Sequence, residues 1–94
     1  MNKQVVGCLK RAKGLLVKYG WIQGRFGDKE HGFCAIGAIR NATESEEIED
    51  EAFYALSVAC ADGGNIAFWN DRERRRKAEV LAAFDRAIKK AQRS

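Results

Sequence analysis

A chain of 94 residues is long enough for one domain, spanning residues 1–94, and at this length it can bury only one hydrophobic core. Its 46% hydrophobic and 32% charged residues are typical of a globular protein, which excludes a disordered or fibrous chain. No apolar run approaches the roughly 20 residues that span a bilayer. Lys10, Arg11 and Lys13 interrupt the segment where a secretory signal would be apolar. We therefore expect a cytoplasmic protein that does not engage a membrane.

Three cysteines, Cys8, Cys34 and Cys60, are odd in number and evenly spaced along the chain. This pattern fits neither a disulfide framework nor the paired CxxC ligands of a zinc site. We expect reduced thiols, no metal site and no cofactor.

The first half of the chain predicts two helices separated by a glycine-rich segment. Helix 1 is expected over residues 3–19, because apolar residues recur there in alternating steps of four and three. Gly20 follows as a left-handed cap. Residues 22–33 indicate a Gly-rich loop or a short β-hairpin. Residues 34–41 are typical of a short buried helix, in which Gly37 lets another backbone approach closely.

The second half predicts two more helices. A third helix is expected to start at a capping box formed by Thr43 and Glu46 and to run to about Ala61. Turn residues 62–65 end it, and the last helix covers about residues 74–92. The fold class is therefore mainly α, a compact four-helix domain with the loop or hairpin between helices 1 and 2.

Three short motifs follow one another along the chain, GWIQG at 20–24, CAIGAI at 34–39 and WND at 69–71. In this order and spacing the chain resembles a family of small bacterial and phage proteins known as domain of unknown function 6197. The resemblance implies a mostly helical fold and assigns no activity. After WND such proteins carry a Pro-Gly-Arg-Thr-like turn, whereas residues 72–77 keep only Arg75 of it. We therefore expect the last helix to begin earlier, with Asn70 or Asp71 as its N-cap.

Positive charge is concentrated in helix 1 and the C-terminal segment, which together hold 14 of the 17 Lys and Arg residues. If these helices pack side by side, their outer faces form a basic surface for phosphate groups, and the net charge of +4 assists association. Ordinary solvation of helix exteriors explains the same pattern without a ligand. The residues expected to carry the surface are Lys10, Arg11, Arg72, Arg74, Arg75, Arg76 and Lys77.

Acidic residues crowd positions 44–51, at the start of the third helix. They stabilise the first turns of a helix, because the helix dipole favours anions there. They also offer a surface to a basic partner, or to the basic residues of a second copy in a homo-oligomer.

Aromatic and polar side chains together in the loops are typical of a small ligand pocket. An indole for stacking, amides for hydrogen bonds and Arg75 for a phosphate would suit a nucleotide. The same side chains would also serve as ordinary loop anchors. The candidate pocket residues are Trp21, Gln23, His31, Trp69, Asn70 and Asp71.

His31 and Cys34, together with Asp28, are the residue types of a Cys-His-acid nucleophile, and Cys8 and Cys60 add thiols for a zinc ion. Neither spacing is diagnostic, and a thiol that opens an apolar helix is ordinarily inert.

Gly7 and Gly14 lie seven residues apart in helix 1, on the face of Lys3 and Lys10. Glycine inside a helix costs about 1 kcal/mol relative to alanine. A close neighbouring helix or subunit would require these glycines, and tolerated weakness explains them equally well.

We therefore predict a non-catalytic binding or regulatory accessory protein, rather than a Cys/His-dependent enzyme or a metal-binding protein. The expected partner is at least partly anionic: a nucleic acid, a nucleotide ligand or a host protein, including a component of host defence. The family resemblance adds an origin in a phage or mobile element, which is an analogy and not a consequence of the residues.

Overall fold

The helical periodicity of the first residues produces one long amphipathic helix. In the computed structural model, which describes residues 3–60 and 65–93, α1 spans Lys3–Tyr19. Gly20 follows with φ 103°, and its N–H donates to the carbonyl oxygen of Leu16 at 3.0 Å. Glycine adopts this left-handed conformation without a steric penalty, and the bond is that of an αL cap. The predicted first helix and its glycine cap are confirmed.

A small hairpin joins α1 to the rest of the molecule. Its strands, β1 (Gly27–Asp28) and β2 (Gly32–Phe33), pair antiparallel. Phe33 also donates its N–H to the carbonyl oxygen of Gly20 at 2.9 Å and accepts the N–H of Ile22 at 3.1 Å. The predicted hairpin is confirmed, and its second strand is fastened to the chain that leaves α1.

Two helices follow, each capped by the residue directly before it. Cys34 caps α2 (Ala35–Ala42), and Ser45 caps α3 (Glu46–Ala59) by accepting the N–H of Ile48 at 3.3 Å. The prediction that Thr43 caps the third helix is wrong. Thr43 is the C-cap of α2, and its hydroxyl accepts the N–H of Ser45 at 3.2 Å. Asp62, Gly63 and Gly64, expected to end this helix, lie outside the described residues.

The last part of the chain contains a short helix that the sequence did not predict. Asn65 caps α4 (Ile66–Asp71) by accepting the N–H of Phe68 at 3.0 Å. The final helix, α5, spans Lys77–Arg93. The expectation that Asn70 or Asp71 caps the last helix is therefore wrong, because both residues end α4. A turn over residues 72–76 separates the two helices.

One hydrophobic core connects these elements, and α1 is at its centre. It packs against α2, α3, α5 and β2, so the first and last helices are in contact, as the hypothesis of a shared basic surface requires. The largest fully buried apolar side chains come from five different elements and are Leu9, Leu16, Phe33, Ile39, Leu56 and Phe84. Across residues 3–60 and 65–93, none of the helices combines the length and apolar character needed to cross a membrane.

Candidate functional site

Asn70 joins the three sequence motifs in one buried hydrogen-bond junction. Its side chain is 1% exposed, and its Oδ1 accepts the indole Nε1–H of Trp21 at 2.7 Å and the backbone N–H of Ala35 at 2.9 Å. Its Nδ2 donates to the carbonyl oxygen of Ile22 at 3.2 Å. The GWIQG loop, the start of α2 and the end of α4 are therefore held together by one amide side chain.

The residues beside Asn70 fasten the same loop from outside. Gln23 donates its Nε2–H to the carbonyl oxygens of Asn70 and Arg72, both at 3.0 Å. Asp71 accepts the N–H of Gly24 at 2.9 Å. The structure thus brings together four of the predicted pocket residues, Trp21, Gln23, Asn70 and Asp71, around internal hydrogen bonds.

The other two predicted pocket residues lie apart from this junction. Trp69 is 4% exposed in the core. His31 lies exposed in the turn between β1 and β2, where its Nδ1 is 3.0 Å from Asp28 Oδ1. The backbone N–H of His31 donates to Asp28, and this bond, with the nearby imidazole, lowers the pKa of the Asp28 carboxyl.

A cleft with two adjacent lobes, of about 420 and 370 Å³, opens beside the junction. Ile36 and Ala67 line both lobes, so α2 and α4 form its walls. Asn70 and Asp71 are the predicted pocket residues that line it, together with Gly24, Arg25, Phe26, Cys34, Arg40, Phe53, Asn65 and Ile66. Sequence reasoning missed Arg25 and Arg40, because the cleft joins segments that are distant along the chain.

Phe26 and Arg40 form a pair at the rim of the cleft. The guanidinium of Arg40 lies 4.4 Å from the centre of the Phe26 ring, within the range of a cation–π contact. Arg40 also pairs with Glu49 at 3.2 Å. The rim therefore presents a half-exposed aromatic ring covered by a cation.

The cleft also contains the thiol that the sequence offered as a nucleophile. Cys34 is 6% exposed, and its Sγ accepts the N–H of Gly37 at 3.3 Å, which caps α2. Burial raises the pKa of this thiol, which disfavours the reactive thiolate. Burial likewise raises the pKa of the Cys8 thiol, and all three cysteines are buried thiols. Among the residues that the structure describes, no group of three His, Cys, Asp or Glu side chains could hold a metal ion.

Residues 72–77, which we call the basic turn, run from the residue after α4 to the first residue of α5 and carry five cations in six positions. The N–H of Arg75 donates to the carbonyl oxygen of Arg72 at 3.0 Å, and Arg74 has φ 70°. This is the geometry of a type II turn, whose third position favours glycine or asparagine. Arg74 occupies that position and is exposed.

Arg76 occupies a second position that favours a different residue. It directly precedes α5, where Ser, Thr, Asp or Asn would cap the helix. Glu79 supplies half of a capping box, because its Oε1 accepts the N–H of Arg76 at 2.8 Å. The arginine side chain cannot supply the other half, since a guanidinium has no acceptor.

Arg75 points inward and supports the turn. Its Nε donates to the carbonyl oxygen of Trp69 at 2.9 Å, and its guanidinium lies 4.2 Å from the centre of the indole ring. Glu79 pairs with its Nη1 at 3.5 Å. Of the predicted basic surface, Arg72, Arg74, Arg76 and Lys77 are exposed, whereas Arg75 is partly buried.

The two remaining residues of the predicted basic surface lie elsewhere on the molecule. Lys10 and Arg11 are exposed in the middle of α1, roughly 14 Å along the helix from its glycine cap. Arg11 donates its Nε–H to the carbonyl oxygen of Ala42 at the end of α2, at 2.9 Å. The structure thus divides the predicted surface into a mid-helix pair and the basic turn.

Comparison with known proteins confirms the family that the motifs indicate. A family model described as "Family of unknown function (DUF6197)" matches residues 1–90 of the chain. No curated protein and no solved structure gives a significant match.

Proposed function

We propose that this chain, which belongs to the DUF6197 family, is a non-catalytic binding protein that engages the phosphates of a nucleic acid through its basic turn. The observation that carries the proposal is the left-handed conformation of Arg74. An L-residue other than glycine loses on the order of 1–2 kcal/mol in this conformation. An arginine placed there lowers the stability of the fold, and binding a partner accounts for it.

Arg76 supports the same interpretation independently. At the start of α5 the helix dipole favours an anion, and a cation there is opposed by about 0.3–1 kcal/mol. A capping side chain would add about 1 kcal/mol of stability at this position. Lys77, the first residue of α5, adds another cation at the same helix end. Arg74, Arg76 and Lys77 are thus exposed cations at positions where other residue types would make the fold more stable.

The turn holds these cations in a defined arrangement. Gln23 fastens the carbonyl oxygen of Arg72 from the GWIQG loop, and Arg75 fastens the opposite side to Trp69. Backbone positions that are fixed before binding reduce the entropy lost when side chains bind phosphates. Guanidinium groups bind phosphate oxygens by charge-assisted, often bidentate, hydrogen bonds.

A nucleic-acid backbone suits this surface better than a single nucleotide. Cations distributed over residues 72–77 can contact several phosphates, and a mononucleotide offers only one phosphate cluster. Phosphate contacts carry no sequence information, so the proposal is non-specific binding.

The test is the salt dependence of binding to a fluorescent 20-base-pair DNA duplex. The variant R74Q/R76Q/K77Q removes three cations and leaves the anchoring contacts of Arg75 intact. We expect it to bind at least about tenfold more weakly at low salt, with a slope of log K against log salt that is smaller by about 2 to 3.

A matched control separates the turn from net charge. Lys89 and Arg93 are exposed towards the other end of α5, about 18 Å and about 24 Å along the helix from Lys77. The variant K77Q/R74Q, which loses two turn cations, is compared with K89Q/R93Q, which has the same net charge. Equal affinities for these two variants, or no duplex binding by the unaltered chain, would overturn the proposal.

The cellular setting belongs to the same proposal. Three buried thiols suit the reducing cytoplasm. We extend the proposal to an origin in a phage or mobile element. A host protein with an acidic surface, including a host defence component, would compete with the duplex for the basic turn.

Catalysis by Cys34 is the alternative function, because its thiol borders the cleft. The raised pKa of the thiol and its role as helix cap favour a structural interpretation. We expect iodoacetamide to alkylate Cys34 of the folded protein at pH 7 more slowly than it alkylates a free cysteine. Faster alkylation would favour the enzyme.

A further inference from the structure

The outward face of α3 combines acidic and apolar side chains. Tyr54 is 69% exposed and Val58 is 45% exposed, and Glu47 and Glu51 are exposed on the turns before them. At 100° per residue these four side chains fall within an arc of about 60°. The inward face of the helix is filled separately, by Ile48, Ala52, Ala55 and Leu56. We call the outward side the acidic face.

The outward face of α1 has the opposite charge. Lys3, Lys10 and Val17 are exposed and fall within an arc of about 40°, with Val17 57% exposed. We call this side the basic face. Glu47 and Tyr54 on the acidic face are spaced seven residues apart, as are Lys3 and Lys10 here, so the two helices present groups at the same interval of about 10.5 Å.

The two glycines of α1, Gly7 and Gly14, lie beside these lysines. Because glycine has no side chain, the basic face is flat at these positions. A Cβ at Gly14 would meet nothing within 4 Å, and one at Gly7 would lie 3.2 Å from Nη1 of Arg11. Among residues 3–60 and 65–93, no neighbouring helix lies against either glycine. At both glycines a second molecule can approach the helix backbone closely. The flat surface that they leave beside the lysines accommodates an aromatic ring such as that of Tyr54.

We propose that copies of this chain associate with the acidic face of one copy against the basic face of another. Glu47 and Glu51, about 6 Å apart along α3, then lie between Lys3 and Lys10 of the other copy, which are about 10.5 Å apart along α1. The apolar side chains of Tyr54 and Val58 cover the glycines and Val17. Opposite charges steer the faces together and set their register. The buried area is limited to two helix faces, so the association is weak and reversible.

This contact is independent of the basic turn, which lies outside both faces. Because two different surfaces meet, the contact is heterologous. Each pair of copies therefore leaves one acidic face and one basic face available to further copies. The acidic residues of α3 then have two roles, since they also stabilise the first turns of their own helix.

Sedimentation velocity measures the association from about 10 μM to about 1 mM, the range in which weak interfaces dissociate. In low salt we expect the average mass of the unaltered chain to rise with concentration. The variants K3E/K10E and E47K/E51K each carry two faces of like charge, and each should stay monomeric. An equimolar mixture of the two restores opposite charges and should associate again.

Two further variants keep the test decisive. K89E/R93E changes net charge as much as K3E/K10E does, but at the end of α5, and it should associate like the unaltered chain. Y54S removes the exposed ring without a charge change and should weaken association at least about tenfold, because aromatic anchors dominate interface energies. Circular dichroism confirms that each variant is folded. A monomeric unaltered chain at the highest concentration, or a mixture that stays monomeric, would refute the proposal.

Discussion

Asn70 has the most consequential side chain described in this molecule. A buried amide can use both its acceptor and its donor, and here the acceptor satisfies Trp21 and Ala35 while the donor satisfies Ile22. Removal of such a group leaves buried donors without partners, and each costs about 1–3 kcal/mol. The WND motif therefore has a structural explanation at its central position.

We expect N70A to lower the free energy of unfolding by about 3 kcal/mol, because the buried N–H of Ala35 and the partly buried indole N–H of Trp21 both lose their acceptor. Asn41 provides the control, since its side chain is exposed and makes one bond, to the carbonyl oxygen of Gly37. N41A should cost less than about 1 kcal/mol. Urea denaturation of both variants measures the difference, and equal costs would contradict the importance of the junction.

The buried thiols make stability depend on alkaline pH. Burial raises the pKa of Cys34 in the folded chain, so above about pH 8.5 the unfolded chain loses its thiol proton first. Stability from this group is complete below that pH and declines as pH rises through the folded pKa. Serine can cap α2 without titrating, so C34S should fold with a stability within about 1 kcal/mol of the unaltered chain at pH 7.

Urea denaturation of C34S and the unaltered chain between pH 7 and pH 10 tests this linkage. We expect the difference in unfolding free energy to shift in favour of C34S above about pH 9. A difference that stays constant over this range would show that burial does not perturb the thiol.

The helices differ in how far their residues determine them. α1 and α5 are long and strongly periodic, so the sequence predicted both, with α5 beginning three residues later than expected. α4 has only six residues, less than two turns, and such a segment has no period to detect. Thr43 was mistaken for the cap of α3, because Thr43 and Ser45 both precede its acidic turns and only the backbone path decides between them.

Two glycines in helices illustrate opposite requirements. A Cβ on Gly37 would overlap the backbone of Phe26, so the predicted close approach at this position is confirmed. Gly14 has open space instead. We expect G37A to destabilise the fold by about 3 kcal/mol or to prevent folding, because a backbone segment cannot move aside cheaply.

G14A should stabilise the fold by about 1 kcal/mol, raising Tm by roughly 4–8 °C. Thermal unfolding in dilute solution, where self-association is absent, compares the two alanine variants. A stabilising G37A would show that the loop does not need to cross α2 at this point.

For the molecule as a whole, the sequence predicted which candidate residues lie close together more accurately than it predicted what their side chains do. The motif residues Trp21, Gln23, Asn70 and Asp71 do converge, but their polar groups bond to one another. Residue types alone cannot distinguish a ligand pocket from a hydrogen-bonded junction. The cleft beside them involves Arg25 and Arg40, which have no mutual spacing in the sequence that could mark them.

We infer that Arg74 and Arg76 make the fold less stable than locally preferred residues would, and that both arginines bind phosphates. Glycine suits the conformation of Arg74 and threonine suits the helix start at Arg76, so the variant R74G/R76T tests stability and binding together. We expect this variant to gain about 2 kcal/mol in unfolding free energy and to bind the DNA duplex about tenfold more weakly, or weaker still. A variant that is no more stable, or that binds the duplex as tightly as the unaltered chain, would contradict it.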